Sequence, residues 1–128
     1  LRENPRILVV DDEAPIRNLV VAVLLDEGYD VASAPAALDA LAQIAERPPD
    51  LVLLDVMMPG MDGLEMLQRL RADPRFAAIP VVIMSAAYTR KDRVAGADAL
   101  LPKPFDLSEL IEVVARALAR ATPVTPER

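Results

Sequence analysis

One stretch, Asp50-Leu51-Val52-Leu53-Leu54-Asp55 running on into Val56-Met57-Met58-Pro59-Gly60-Met61-Asp62-Gly63, constrains the fold of this chain more than any other. A continuous apolar run followed by turn residues suits a strand buried on both faces of a parallel sheet. Such a sheet is covered by helices on both faces and joined by right-handed crossovers. Because the run closes on a carboxylate, Asp55 would stand at the carboxyl lip of the sheet, where open α/β folds bind their ligands.

The flanking sequence supplies the other elements. Arg6-Ile7-Leu8-Val9-Val10 is a similar run and ends in Asp11-Asp12-Glu13. Pro15 is tolerated in the first turn of a helix. Ile16, Leu19, Val20, Val23 and Leu24 then repeat at helical spacing until Gly28 stops them. Asp30-Val31-Ala32-Ser33-Ala34 predicts a weak second strand. Pro35 opens a second helix carrying Leu38, Leu41 and Ala45, closed off by Pro48-Pro49. Asp62 and Glu65 are spaced as a capping box for a third helix with Leu64, Leu67 and Leu70 inward, ending near Asp73-Pro74.

Pro80-Val81-Val82-Ile83-Met84-Ser85 predicts the fourth strand, apolar until its last residue. Thr89 to Ala95 predicts a short fourth helix ended by Gly96, and Ala99-Leu100-Leu101-Pro102 a short fifth strand. Asp106 and Glu109 repeat the capping-box spacing. Leu107, Leu110, Ile111, Val114 and Leu118 face inward from the last helix. Residues 1–121 thus read as one domain, and 122–128, with Pro123 and Pro126, as a tail or the start of an interdomain linker. Leu1 in place of Met, together with this tail, leads us to expect a piece of a longer protein.

Strict alternation of strands and helices gives the α/β class. Acidic or hydroxyl residues close the first, third and fourth strands, and they converge only if those strands are neighbours. The expected architecture is a flavodoxin-like, doubly wound, five-stranded parallel sheet of order 2-1-3-4-5, with a shortened fourth helix.

Composition narrows the chemistry. A chain of 128 residues makes one domain that buries about two-thirds of its unfolded surface. No run approaches the roughly 20 apolar residues of a membrane span, and there is no signal-peptide pattern. The absence of cysteine excludes disulfides and thiolate chemistry and fits a cytoplasmic location. The absence of histidine excludes a His-based triad and imidazole metal ligation, so any metal would be held by oxygen, which favours Mg, Mn or Ca. A net charge of -6 argues against direct nucleic-acid binding by this domain.

Asp11, Asp12 and Asp55 would bring three carboxylates to one crevice. Two full charges 4 Å apart repel by roughly 1 to 4 kcal/mol between water and protein-surface dielectrics. A divalent cation or an added proton relieves that repulsion. Mg²⁺ suits such a site, with one or two carboxylates, a backbone carbonyl, waters and a substrate phosphate oxygen around it. Read alone, Asp11-Asp12 would equally serve as a helix N-cap with an exposed neighbour. Lys103, between Pro102 and Pro104, offers a fixed ammonium that would pair with Asp55; by itself it also fits a surface lysine in a rigid turn. Either X-Pro bond could be cis. Ser85 would hydrogen-bond a phosphoryl oxygen, or simply cap a strand or helix end. Met57, Met58, Met61, Met66 and Met84 read as core and loop packing.

Together, Asp11-Asp12, Asp55 with Met57-Met58-Pro59-Gly60-Met61-Asp62-Gly63, Ser85-Ala86 and Lys103-Pro104-Phe105 resemble the receiver domain of bacterial two-component response regulators. The resemblance spans about residues 6–121. It implies that Asp55 is the phosphoacceptor, that Asp12, and Asp11 through water, bind Mg²⁺ (or Mn²⁺) with the Met57 carbonyl, and that Ser85 is the switch hydroxyl. It further implies that Lys103 pairs with the phosphate and that Lys103-Pro104 is a cis peptide. The implied partners are a histidine kinase or phosphotransfer protein and an output domain or downstream protein, with a homodimer left open. The domain would be a signalling module whose only catalysis is its own phosphorylation and dephosphorylation.

Two features depart from the family. Leu100 stands where a Tyr or Phe is usual, three residues before the lysine. The interval from Ser85 to Lys103 is also shorter than the family's by about one helical turn. An unphosphorylated docking module with an atypical output face is therefore the alternative reading. A haloacid-dehalogenase-like phosphatase fits less well, because Asp11-Asp12-Glu13 lacks the Asp-x-Asp spacing and the chain leaves no room for a cap domain.

Overall fold

The computed structural model describes residues 4–58, 60–89 and 91–121. The predicted tail (122–128), Leu1, Pro59 of the turn and Arg90 lie outside the described residues. Five strands, β1 (Arg6–Val10), β2 (Asp30–Ala34), β3 (Leu51–Asp55), β4 (Val81–Ser85) and β5 (Ala99–Pro102), form one sheet. Its order is 2-1-3-4-5 and every pairing is parallel. The helices are α1 (Ala14–Asp26), α2 (Ala37–Glu46), α3 (Gly63–Ala72) and α4 (Leu107–Ala121).

Strand side chains alternate between two cores, as the pleat requires. Leu8, Val10, Val52, Leu54, Val81 and Ile83 pack with residues of α2 and α3. Ile7, Val9, Leu51, Leu53, Val82, Met84 and Leu101 pack with residues of α1 and α4. β3 and β4 are buried along their whole length, which is why they read as unbroken apolar runs.

Register then lines up the strand ends. Val10 pairs with Leu54, Asp55 with Met84, and Ser85 with Pro102. One residue further on, Asp11 comes level with Asp55, and Lys103 follows the partner of Ser85.

The helix faces differ in part from expectation. In α2 the buried positions are Ala37, Ala40 and Ile44, while Leu38 is 65% exposed and Ala45 is exposed. The small alanines let that helix lie close to the sheet, and only Leu41 of the predicted face packs inward. Leu19 of α1 and Leu107 of α4 are also exposed; Val20 and Leu24, and Leu110, Val114 and Ala117, carry those contacts. In α3, Met66 is buried where Leu64 is only partly covered. Each capping pair is engaged: Asp62 Oδ1 accepts from the Glu65 N–H at 2.9 Å, and the Asp106 N–H donates to Glu109 Oε1 at 3.0 Å.

The shortening between β4 and β5 goes beyond a short helix. Among the described residues no helix joins these strands; the connection runs through turns. Asp92 Oδ2 accepts from the Thr89 N–H at 2.7 Å and from its hydroxyl at 3.3 Å, a local closure that competes with helix. Among the described residues, Tyr88, Val94 and Ala97 give this segment its partly buried apolar contacts, too few for a helical stripe. Gly96, at φ +89°, turns the chain back into β5.

Candidate functional site

The site forms where β1, β3, β4 and β5 end. Asp11 is fully buried, and each of its carboxylate oxygens is engaged. Oδ1 accepts from the Glu13 N–H at 2.9 Å, and Oδ2 from Lys103 Nζ at 2.9 Å. The N-cap of α1 is Glu13 rather than Asp11 or Asp12, so the capping alternative for that pair does not describe the fold. Arg17 reaches back from α1 to donate to the Asp11 carbonyl at 2.8 Å. Asp12, by contrast, is exposed.

Asp55 is buried beside Asp11. Its Oδ1 accepts from the Met57 N–H at 3.0 Å, and its Oδ2 lies 3.5 Å from Lys103 Nζ. Burial raises the Asp55 carboxyl above the ordinary carboxylate range and the neighbouring Asp11 charge adds to this, against the opposing pull of the Met57 N–H and Lys103. Burial by itself would lower Lys103, but its bonds to the carboxylates, chiefly Asp11, prevail and hold it above the usual lysine value.

Lys103 therefore sits closer to Asp11 than to Asp55, the partner expected from sequence. Glu13, at 3.4 Å, is a further acceptor. The Lys103–Pro104 peptide is cis, and the Lys103 N–H donates to the Ser85 carbonyl at 3.0 Å. Ser85 is buried, with its hydroxyl accepting from the Ala87 N–H at 3.0 Å.

Asp12, Glu13, Asp55, Met57, Ala86 and Lys103 line an open cavity of about 260 Å³. Leu100 lies apart from it, partly buried against the α2/α3 core and bordering a second cavity with Asp92, Arg93 and Asp98. The Met57 side chain projects outward, 64% exposed, rather than packing as the other methionines do.

One oxygen from each of Asp11, Asp12 and Asp55 lies within 4.8 Å of the others. This all-oxygen donor set retains negative charge even with Lys103 beside it, and it fits Mg²⁺, which prefers a few carboxylates and retained waters. Glu13 and Arg17 also belong to this cluster; Glu13, next to the acidic pair, carries a signal in the sequence, and Arg17, which bonds a main-chain carbonyl, does not.

Comparison with known proteins bears on the family and the fold. The model for the response regulator receiver domain matches residues 7–115. The DNA-binding dual master transcriptional regulator RpaA of Synechocystis sp. is 42% identical over 96% of this chain and 52% of its own length. The chain spans about half the length of the curated relatives it matches. The receiver domain of NtrX from Brucella abortus superposes with a TM-score of 0.80 at 40% identity, covering 88% of this chain and 98% of that one. Chemotaxis response regulator CheY4 of Vibrio cholerae gives 0.83 at 29% identity, covering 89% and 98%. Among the described residues no helix is long and apolar enough to cross a membrane. With the fold, the strand-end carboxylates and these matches in agreement, the chain belongs to the response regulator receiver domain family.

Proposed function

We propose that the protein is a phosphoacceptor switch in which Asp55 takes a phosphoryl group from a histidine kinase or phosphotransfer protein. One arrangement carries this reading: two buried carboxylates, Asp11 and Asp55, meet the Lys103 ammonium beside an open cavity that Asp12 also lines. Asp11, Asp12, Asp55 and the Met57 carbonyl are the groups that would hold Mg²⁺, or Mn²⁺ in its place. When bound, the ion supplies neutralisation of the phosphoryl oxygens.

Phosphoryl transfer requires positioning and charge stabilisation more than covalent chemistry from the protein. An Asp55 oxygen forms the new bond to phosphorus as the bond from phosphorus to the donor's imidazole nitrogen breaks, and the electron pair leaves with that nitrogen. Lys103 faces the developing charge. The Ser85 hydroxyl accepts from Ala87 and keeps its own proton to donate to a phosphoryl oxygen.

The acyl phosphate adds about -1.5 to -2 charge. Drawing Ser85 and Lys103 toward it would move the ends of β4 and β5 between two states. A shift from mostly off to mostly on needs about 5.5 kcal/mol of differential interaction, within reach of a few charge-assisted hydrogen bonds. Attack of water at phosphorus restores Asp55, so the chain's catalysis is confined to its own modification. We place it in the cytoplasm, upstream of an output domain or partner protein; the name of RpaA points to a DNA-directed output.

The connection between β4 and β5, which holds no helix among the described residues, favours a second reading, a docking module that is never phosphorylated. One experiment separates the two. Acetyl phosphate, or beryllofluoride as its analogue, is expected to modify the protein only when Mg²⁺ is present, and Asp55→Asn is expected to abolish the modification. Label retained by Asp55→Asn would remove Asp55 as the acceptor. No label under any condition would favour the docking module.

A further inference from the structure

Of the five methionines in the chain, Met57 is the one whose side chain stands in water. It is 64% exposed, whereas Met58 is 7% exposed and Met66 and Met84 are fully buried. Met61 is partly buried against the α2/α3 core. A thioether packed in a core is shielded from dissolved oxidants, and one in water is not. With no cysteine in the chain, no thiol competes for such an oxidant. Position adds to exposure. Met57 lines the same cavity as Asp12, Glu13, Asp55, Ala86 and Lys103. The others are charged apart from Ala86, so Met57 and Ala86 supply the apolar part of the wall. The Met57 N–H, bonded to Asp55 Oδ1 at 3.0 Å, ties this residue to the acceptor itself.

Building on the phosphoacceptor reading of Asp55, we propose that Met57 is a site of reversible oxidation by peroxides, and that its sulfoxide slows phosphorylation of Asp55. The sulfur lone pair attacks one oxygen of hydrogen peroxide. The S–O bond forms as the O–O bond breaks. The second oxygen takes up the proton that the first gives up and leaves as water. Sulfur is oxidised and the peroxide reduced, so no further reactant is needed. The product is a polar sulfoxide, and methionine sulfoxide reductases return it to the thioether. Its oxygen accepts hydrogen bonds, and Lys103 is the one cation among the residues lining the cavity. The new acceptor therefore competes with an incoming phosphoryl oxygen for that ammonium and holds water at the mouth. One competing hydrogen bond is worth about fivefold.

The test treats the full chain with hydrogen peroxide and then removes the oxidant. Peptide mass mapping locates the added oxygen. Labelling by acetyl phosphate at saturating Mg²⁺ is timed before treatment, after it, and after reductases acting on both sulfoxide epimers. Met57→Leu, close in volume, passes through the same steps, and each protein is compared with its own untreated rate. Oxygen is expected at Met57 ahead of the other methionines. Labelling of the parent is expected to slow by about fivefold and to recover on reduction, while Met57→Leu keeps its own rate.

Oxygen gained first at Met61 or at a buried methionine would overturn the site. A parent chain that labels as fast after oxidation of Met57 as before, or that does not recover on reduction, would overturn the effect on Asp55. Equal slowing of Met57→Leu would do the same. Should Met57→Leu not fold, recovery of the parent on reduction decides alone. Absence of label on the untreated chain would instead overturn the phosphoacceptor reading and the effect resting on it, and the peptide map would still decide the site of oxidation.

Discussion

Asp55 is buried at the end of a strand that is apolar throughout, beside a second carboxylate, and this sets how the fold responds to pH. Its folded-state carboxyl is raised, through burial first and Asp11 second. Folding is therefore favoured by its protonation. That contribution is fully present below the ordinary carboxylate range and is lost as pH rises through the raised value. Wherever it is ionised without metal, Asp55 works against the folded state. Asp55→Asn keeps the shape and removes the charge, so it is expected to raise stability at pH 7 by on the order of 1 kcal/mol, the lower end of the range for two charges about 4 Å apart. The gain should shrink as pH falls through the carboxylate range and as Mg²⁺ is added. Urea denaturation at several pH values, with and without Mg²⁺, measures both trends. A variant less stable than the parent at pH 7 would mean that the contacts of Asp55 with Met57 and Lys103 outweigh its desolvation.

Among the elements, the connection between β4 and β5 differs most from what its sequence suggests, and one side chain of α3 anchors its far end. Arg71 donates to the Gly96 carbonyl at 2.8 Å, the Ala77 carbonyl at 3.0 Å, the Ile79 carbonyl at 2.7 Å and Asp98 Oδ2 at 3.0 Å. Asp98 in turn accepts from the Val81 N–H at 2.8 Å, at the start of β4. Arg71→Ala would leave these acceptors to water or to nothing. A loss of about 2–3 kcal/mol is expected, below the sum for charged hydrogen bonds because the pair is partly exposed. Arg71→Lys should recover little, since one ammonium cannot span the guanidinium's fork of donors; urea midpoints of the two variants check this. The strands were legible because a doubly buried strand announces itself as an apolar run ended by a polar residue. The inner faces of α1, α2 and α4 were only partly legible, because alanine packs closely without standing out and Leu38 tolerates solvent. Arg71 was not legible at all: three of its four acceptors are main-chain carbonyls, which leave no mark in a sequence.

Across the whole molecule, interior strands buried along their length adjoin a β4–β5 connection that, among the described residues, holds no helix. Asp11, Asp55 and Lys103 were legible as a group because parallel strands of order 2-1-3-4-5 bring their carboxyl ends together. The preference of Lys103 for Asp11 was not, because it depends on distances that only the packed strands decide. From that cluster a continuous set of contacts leads outward. The Lys103 N–H bonds the Ser85 carbonyl, the Ser85 hydroxyl holds the turn at Ala87, and beyond it runs the connection that returns to Leu100. β1 and β3, both interior strands with almost every residue buried, have little freedom to move. A phosphoryl group on Asp55 that draws on Ser85 and Lys103 would therefore be felt first between residues 86 and 98 and along β5, even without an aromatic ring at position 100 to turn. Hydrogen exchange with Mg²⁺ and beryllofluoride should show greater protection there than in Mg²⁺ alone, with the interior amides of β1 and β3 changing little. Protection rising equally everywhere would indicate simple stabilisation of the folded state by a bound ligand. Protection confined to the carboxyl ends of β1 and β3 would mean that the modified site is built but not connected to this corner of the fold.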